Sequence, residues 1–285
     1  MTALPDRRLH AYRPDLAEER LQGIVEAQRY TAGEPAIVRV PVAPMRPQPD
    51  RQTGIDTQLL FGEAVLVFDR QPGWCWVKSR VDGYVGYVPD DCLAADAGAP
   101  AHIVSAVRTF VYADADMKSP AISALSMGSR LRITGETETR GTRYALLAEG
   151  GAIIAAHGRL IEAIGEPDYV SIAARFVETP YLWGGRTAFG LDCSGLVQLS
   201  MMMAGRNAPR DSDMQAAGMG DPISRDMLIR GDLVFWKGHV AIMETPDTIV
   251  HANGHTMTVA REDLAAAIDR IGWLYGQPTG YRRPV

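Results

Sequence analysis

Cys193 stands in "GLDCSGLVQL" (190–199), between a carboxylate and a hydroxyl, with a glycine two residues on and an apolar run behind it. Asp192 is a helix-capping residue type and the run that follows has helical character, which puts Cys193 in the first turn. Unpaired backbone N–H groups and the helix dipole favour an anion there, so the position predicts a thiol of lowered pKa and a nucleophilic role. The same N–H groups can stabilise the oxyanion formed when sulfur attacks a carbonyl. Such a nucleophile needs a base. Of the six histidines, His10, His102 and His157 lie far upstream, whereas His239, His251 and His255 follow Cys193. If "VAIM" (240–243) pairs with "IVHA" (249–252) across "ETPDT", Ala241 falls opposite His251. His239 is then a diagonal neighbour on the same face, roughly 7–8 Å away. This arrangement makes His239 the general base and His251 the group that holds its tautomer and orientation. His255, just past "ANG", is expected in solvent.

The elements that must hold these residues begin at about residue 165. "DYVSIAARFVE" is amphipathic and should form a helix ending at Thr179-Pro180. A glycine-rich loop, "YLWGGRTAFG", leads to the Asp192 cap and an apolar helix whose triple methionine reads as core packing. "DLVFW", "HVAIM", "TIVHA" and a final "GWLYG" read as a strand series, giving an α+β arrangement.

Upstream the texture differs. Residues 6–30 mix charge with Leu, Ile and Val at roughly helical spacing and predict a leading helical segment over 1–32. From about 33 to 163, short alternating runs broken by Gly, Pro and Asp predict two small antiparallel barrels, 33–97 and 98–163. A weak internal repeat supports two copies: "LLFGEAVLV" (59–67) aligns with "LSMGSRLRI" (125–133), matching Leu59 with Leu125, Gly62 with Gly128, Val65 with Leu131 and Val67 with Ile133. The copies differ at Glu63, which is Ser129 in the second, and at "DGYVGYVP", which has no counterpart there. A polar ligand site is therefore expected in the first copy.

Composition bounds the partners. The chain has 285 residues, 46% hydrophobic and 22% charged, with a formal net charge of -5, which gives no basic footprint for nucleic acid or anionic lipid. No segment has the apolar core of a signal or the length of a membrane span, so a cytoplasmic protein is expected. The three cysteines, Cys75, Cys92 and Cys193, show no pairing pattern and suit a reducing compartment. Cys75 and Cys92 read as small buried hydrophobes. No cofactor or metal is expected, because the Cys and His residues lack clustered ligand spacing.

"YLWGG", "DCSGLV", "PRDSDMQ", "RGDLVFW", "GHVAIM" and "IVHA", in this order, resemble the NlpC/P60 family of papain-like cysteine peptidases that cut peptidoglycan peptides. The resemblance covers about residues 164–285, and the upstream barrels resemble bacterial SH3 domains. The layout is similar to that of the dipeptidyl-peptidase VI type, γ-D-glutamyl-L-diamino acid endopeptidases acting on released fragments with a free N-terminal L-alanine. The resemblance implies Cys193 as nucleophile, His239 as base, His251 as third triad member, and Tyr181 as an oxyanion donor beside the Cys193 N–H. It also implies that Glu63 and Tyr84 close the non-primed end of the cleft. For a tri- or tetrapeptide substrate, Glu63, Asp192 and the Tyr84 hydroxyl suit the ammonium of L-alanine. Ser194 and Ser212 suit the D-glutamate carboxylate, with Arg210 adding charge. An amidase or acyltransferase of the same fold, or a non-catalytic wall-peptide binding protein, are the other readings the sequence leaves open.

Overall fold

The computed structural model describes residues 4–96, 98–163 and 168–284. The chain divides into two compact units, Met1–Ile161 and Glu162–Val285. The expected start of the catalytic domain, residue 164, lies outside the described residues.

The first unit is built of short strands. One five-stranded sheet runs in the order Val85–Pro89, Trp74–Ser79, Ala64–Gln71, Glu34–Val38, Leu93–Ala95, beside a hairpin of Val42–Met45 and Thr57–Leu60. Their inward residues, among them Val38, Met45, Leu59, Val65, Val77 and Val88, form one core. A second group has a three-stranded sheet (Arg130–Leu131, His102–Val104, Gly158–Leu160) and a five-stranded one (Ala121–Ser126, Arg108–Tyr112, Ala152–Ile154, Thr142–Leu147, Ile133–Thr139) around Val104, Leu125, Leu131 and Ile153. The sequence predicts closed barrels, but the hydrogen-bonded strand orders are open sheets, because register shifts at Val67/Asp69 and Ile133/Gly135 bend the long strands without joining the edges.

The repeat does reappear as hydrogen bonds. The Val38 N–H donates to the Glu63 carbonyl and the Gly62 N–H to the Val38 carbonyl; Val104 and Ser129, and Gly128 and Val104, do the same in the second group. Gly62 and Gly128 both sit at positive φ, 76° and 91°, where only glycine is unstrained. A Cβ on Gly62 would also stand 2.1 Å from the Arg130 carbonyl oxygen.

The expected N-terminal helix does not form. The described residues of 4–31 instead form a parallel pairing of Leu16–Glu18 with Arg29–Thr31, one short 3-10 turn, Glu19–Leu21, and isolated bridges between Tyr12 and Ala17 and between Gln22 and Val25. Pro14 and the left-handed Gly23 (φ 81°) break the helical run, and burial in the adjoining sheet outweighs helix propensity. Ala11 and Leu16 pack against Phe68, Trp76 and Val85. Glu18 meets the buried Lys78 ammonium at 3.1 Å, and the Arg13 guanidinium lies over the Trp76 ring and on Asp69.

The second unit has four α-helices among its described residues, α1 (Tyr169–Ala174), α2 (Cys193–Met203), α3 (Ser212–Gly218) and α4 (Leu264–Tyr275). Its six-stranded sheet runs Asp221–Ile223, Gly280–Arg283, Leu233–Trp236, His239–Met243, Thr248–Asn253, Thr258–Asp263. α1 starts at Asp168, whose side chain accepts the Val170 and Ser171 N–H groups, and it ends earlier than the proline predicts, the chain turning at Glu178 (φ 72°). α2 is buried on nearly every face, including Met201 and Met203, and packs against His239–Met243 and Thr248–Asn253. "GWLYG", expected as a strand, is instead the end of α4. Asp263 caps that helix at the Ala266 N–H, and Leu264, Ala267, Ile268 and Ile271 form its inner face at helical spacing.

Candidate active site

Asp192 builds the site's floor. Its carboxylate accepts the Gly195 N–H at 2.6 Å as the cap of α2, and the Gly184 N–H at 3.0 Å from the glycine-rich loop. The Ser194 hydroxyl lies 3.2 Å from one oxygen, and Arg210 grips both oxygens at 3.0 and 2.7 Å. The Arg210 side chain is 1% exposed, so its charge is spent inside the protein. Gly195 lets the loop close on the helix, since a Cβ there would stand 2.2 Å from the Gly185 carbonyl. Gln215 of α3 donates to the Ser194 and Pro209 carbonyls, tying the helix headed by Ser212 to the first turn of α2. Ser212 itself is half-buried.

Cys193 thus opens α2 as the sequence predicts, but its electrostatics differ from the expectation. The thiol is buried, and burial followed by the nearby Asp192 carboxylate pushes it up to about 12. The Val240 and Ser194 N–H groups and Arg210 oppose that rise without overcoming it. Desolvation outweighs the helix dipole.

The Val240 N–H that reaches the sulfur belongs to the residue after His239. Burial, then the His251 and Arg270 charges, push His239 down to about 3. Both shifts favour the neutral thiol and the neutral imidazole. The strand register pairs Ile242 with Val250 and Met243 with Ile249, which one step on sets Ala241 opposite His251 as predicted. His239 Nε2 stands 2.9 Å from His251 Nδ1, and the Trp236 ring flanks His239 at 5.7 Å between centroids. With Nε2 committed to His251, Nδ1 is the nitrogen left to take the thiol proton.

Tyr181 lies within electrostatic reach of Cys193. Burial and the Cys193 and Asp192 charges raise its phenol, which keeps it a donor. Its N–H bonds to the Met257 carbonyl at 2.8 Å. His255 is exposed, as expected. In the first unit, Glu63 has no exposed surface and its carboxylate accepts the Leu60 N–H, while Tyr84 belongs to the apolar core, its N–H on Asp82.

Sequence reasoning missed Glu262 and Arg270. His251 Nε2, buried and otherwise unpartnered, stands 3.1 Å from Glu262 Oε2, and Arg270 of α4 holds that carboxylate at 2.5 and 2.8 Å. The strand Thr258–Asp263 that carries Glu262 has only a faint apolar alternation, so nothing marked it.

Residues 178–269 match the NlpC/P60 family, and residues 45–93 match the bacterial dipeptidyl-peptidase Sh3 domain. The chain is a cysteine peptidase, similar over residues 178–269 to the NlpC/P60 family. This cysteine peptidase is 28% identical over 272 residues to dipeptidyl-peptidase 6 of Lysinibacillus sphaericus, covering 84% of this chain and 99% of that protein. It is 31% identical to the gamma-D-glutamyl-L-lysine dipeptidyl-peptidase of Bacillus subtilis over 199 residues, 64% of each chain. A crystal structure of an NlpC/P60 family protein from Bacillus cereus superimposes with a TM-score of 0.74 at 22% identity, covering 88% of this chain and 99% of that one, which shows the shared fold.

Proposed function

We propose that this peptidase hydrolyses the γ-D-glutamyl to diamino acid bond of peptidoglycan-derived peptides that carry a free N-terminal L-alanine, during reuse of wall fragments. The observation that carries the reading is the His239 to His251 contact on strands packed beneath the helix that Cys193 opens. Cys193 attacks the γ-carbonyl as its proton passes to His239 Nδ1. The Cys193 N–H and the Tyr181 hydroxyl receive the oxyanion, and His239 returns the proton to the leaving amine. Water then hydrolyses the thioester, with His239 again as base.

The names of the relatives support the bond and substrate class. The resemblance supports Glu63 and Tyr84 as readers of the ammonium, and Ser194 and Ser212 as donors to the D-glutamate carboxylate. Asp192 and Arg210 act mainly by shaping the pocket, because each already neutralises the other. Free thiols at Cys75, Cys92 and Cys193 support action in a reducing compartment such as the cytoplasm. No helix among the described residues is long and apolar enough to cross a membrane.

The test is mass spectrometry of products from L-Ala-γ-D-Glu-meso-diaminopimelate, its L-lysine counterpart and their N-acetylated forms. Release of L-Ala-D-Glu from the free peptides alone is expected. Cleavage of the acetylated forms at equal rate would remove the amine requirement, and cleavage of none would remove the substrate.

A further inference from the structure

Which ring nitrogen of His251 carries its proton depends on what faces it. Its side chain is fully buried, with His239 Nε2 on the Nδ1 side and Glu262 on the Nε2 side. Arg270, from the helix packed behind the strand, holds Glu262, which closes the chain of polar groups. We propose that Glu262, anchored by Arg270, is a positioning residue for the catalytic base, acting through His251 to fix the proton on every nitrogen of the pair. This inference rests on the peptidase reading.

The proton accounting follows from the 3.1 Å approach of His251 Nε2 to Glu262 Oε2. A carboxylate can only accept, so His251 must carry its proton on Nε2, which leaves Nδ1 as an acceptor. His239 must then carry its proton on Nε2, and its Nδ1 lone pair is the one available to Cys193. When the thiol proton moves to His239 Nδ1, the new imidazolium keeps both protons and the S–C bond forms. The positive charge is met by a carboxylate one ring away, while no proton moves to Glu262. The carboxylate stays ionised: Arg270 binds both oxygens, and although burial opposes it, the contacts from Arg270 and His251 hold the acid at about 2. Without the carboxylate, His251 can carry its proton on Nδ1, where it opposes the His239 N–H and turns the base away.

The charged groups acting on His239 are Arg270 and Glu262, while Asp192 and Arg210 act on Cys193. Only Glu262 raises the basicity of His239. Glu262→Gln, which keeps an acceptor but loses the charge, isolates that effect. In histidine-labelled protein, nitrogen chemical shifts should show the Nε2–H form of both rings in the wild type and a mixture in Glu262→Gln. On the tripeptide, kcat should fall roughly 10- to 100-fold, the size known for the carboxylate partners that orient metal-ligating histidines. KM should stay within about twofold, and the kcat/KM profile should move to lower pH, because the base is weaker. A purely structural role would leave tautomers and pH profile in place.

Unchanged tautomers with an unchanged pH profile would overturn the proposal. If the wild type cuts none of the peptides, the substrate reading fails separately. The tautomers and the rate of Cys193 alkylation then still decide, a slower rate in Glu262→Gln supporting the relay and an equal one overturning it. Should Glu262→Gln not fold, Arg270→Gln keeps the carboxylate but frees it from its anchor: a smaller tautomer mixture is expected, while the kcat/KM profile moves to higher pH because the Arg270 charge depresses His239; unchanged tautomers there overturn the proposal.

Discussion

The Asp192 carboxylate and the Arg210 guanidinium meet fork to fork beneath the nucleophile, both oxygens bonded and both side chains out of solvent. Removing one member leaves the other as an uncompensated buried charge, a loss of about 3–5 kcal/mol. Arg210→Met and Asp192→Asn should each lower the unfolding free energy from urea titration by that order, and both should reduce kcat, because the cap and loop that place Cys193 come apart. A midpoint unchanged in Arg210→Met would mean that the pair contributes no net stability.

Cys193→Ala should abolish turnover while leaving the thermal midpoint within a few degrees. The resting thiol lies near 12 and the base near 3, so the thiolate fraction is small at pH 7 and grows with pH. Inactivation by iodoacetamide should therefore climb steadily between pH 7 and 10. A plateau from pH 5 upward would show a preformed thiolate-imidazolium pair instead.

Glu262 should also shape stability in acid. Its folded carboxyl lies near 2, against 4.5 for the free group. A depressed carboxyl stabilises the fold fully above the unfolded value, and that contribution drains away as pH falls from 4.5 towards 2. The stability gap between wild type and Glu262→Gln should accordingly be widest above pH 5 and close by about pH 2 in denaturant titrations.

Gly62→Ala should destabilise the first unit by about 1–3 kcal/mol, since φ is 76° and the new methyl meets the Arg130 carbonyl. Gly54→Ala, with open space around it, is the control. Calorimetry of the two variants separates backbone strain from a general effect of lost glycine.

On the proposed reading of Glu63 and Tyr84 as ammonium partners, Glu63→Gln and Tyr84→Phe should raise KM for free-amine peptides roughly tenfold, the loss of one charge-assisted hydrogen bond. KM for acetylated peptides should not move. Equal KM changes for both substrate forms would return Glu63 to the turn it closes at Leu60 and Tyr84 to the core.

The site was far more legible than the scaffold. Cys193, His239 and His251 announce themselves through a cap, a hairpin register and a count of histidines, all local properties of sequence. Glu262 and Arg270 do not, because their meeting depends on how α4 folds back over the strand Thr258–Asp263, a tertiary event without a periodic signature. The same limit explains 6–30, where apolar residues at helical spacing serve an adjoining sheet, and "GWLYG", where aromatic content suggested a strand but the cap at Asp263 continued a helix. The pKa expectation for Cys193 failed for a related reason: sequence shows the helix end but not the depth of burial.

The lacing of the first residues onto the neighbouring sheet sets the limits of any portable fragment. Cutting at residue 33, where the composition changes, would strip Phe68 and Trp76 of their cover, release Asp69 from Arg13, and strand the Lys78 ammonium in an apolar wall without Glu18. The smallest transferable version of this module therefore begins well upstream, near Asp6. Fusions and truncations should be planned around that clasp rather than around the motif boundaries.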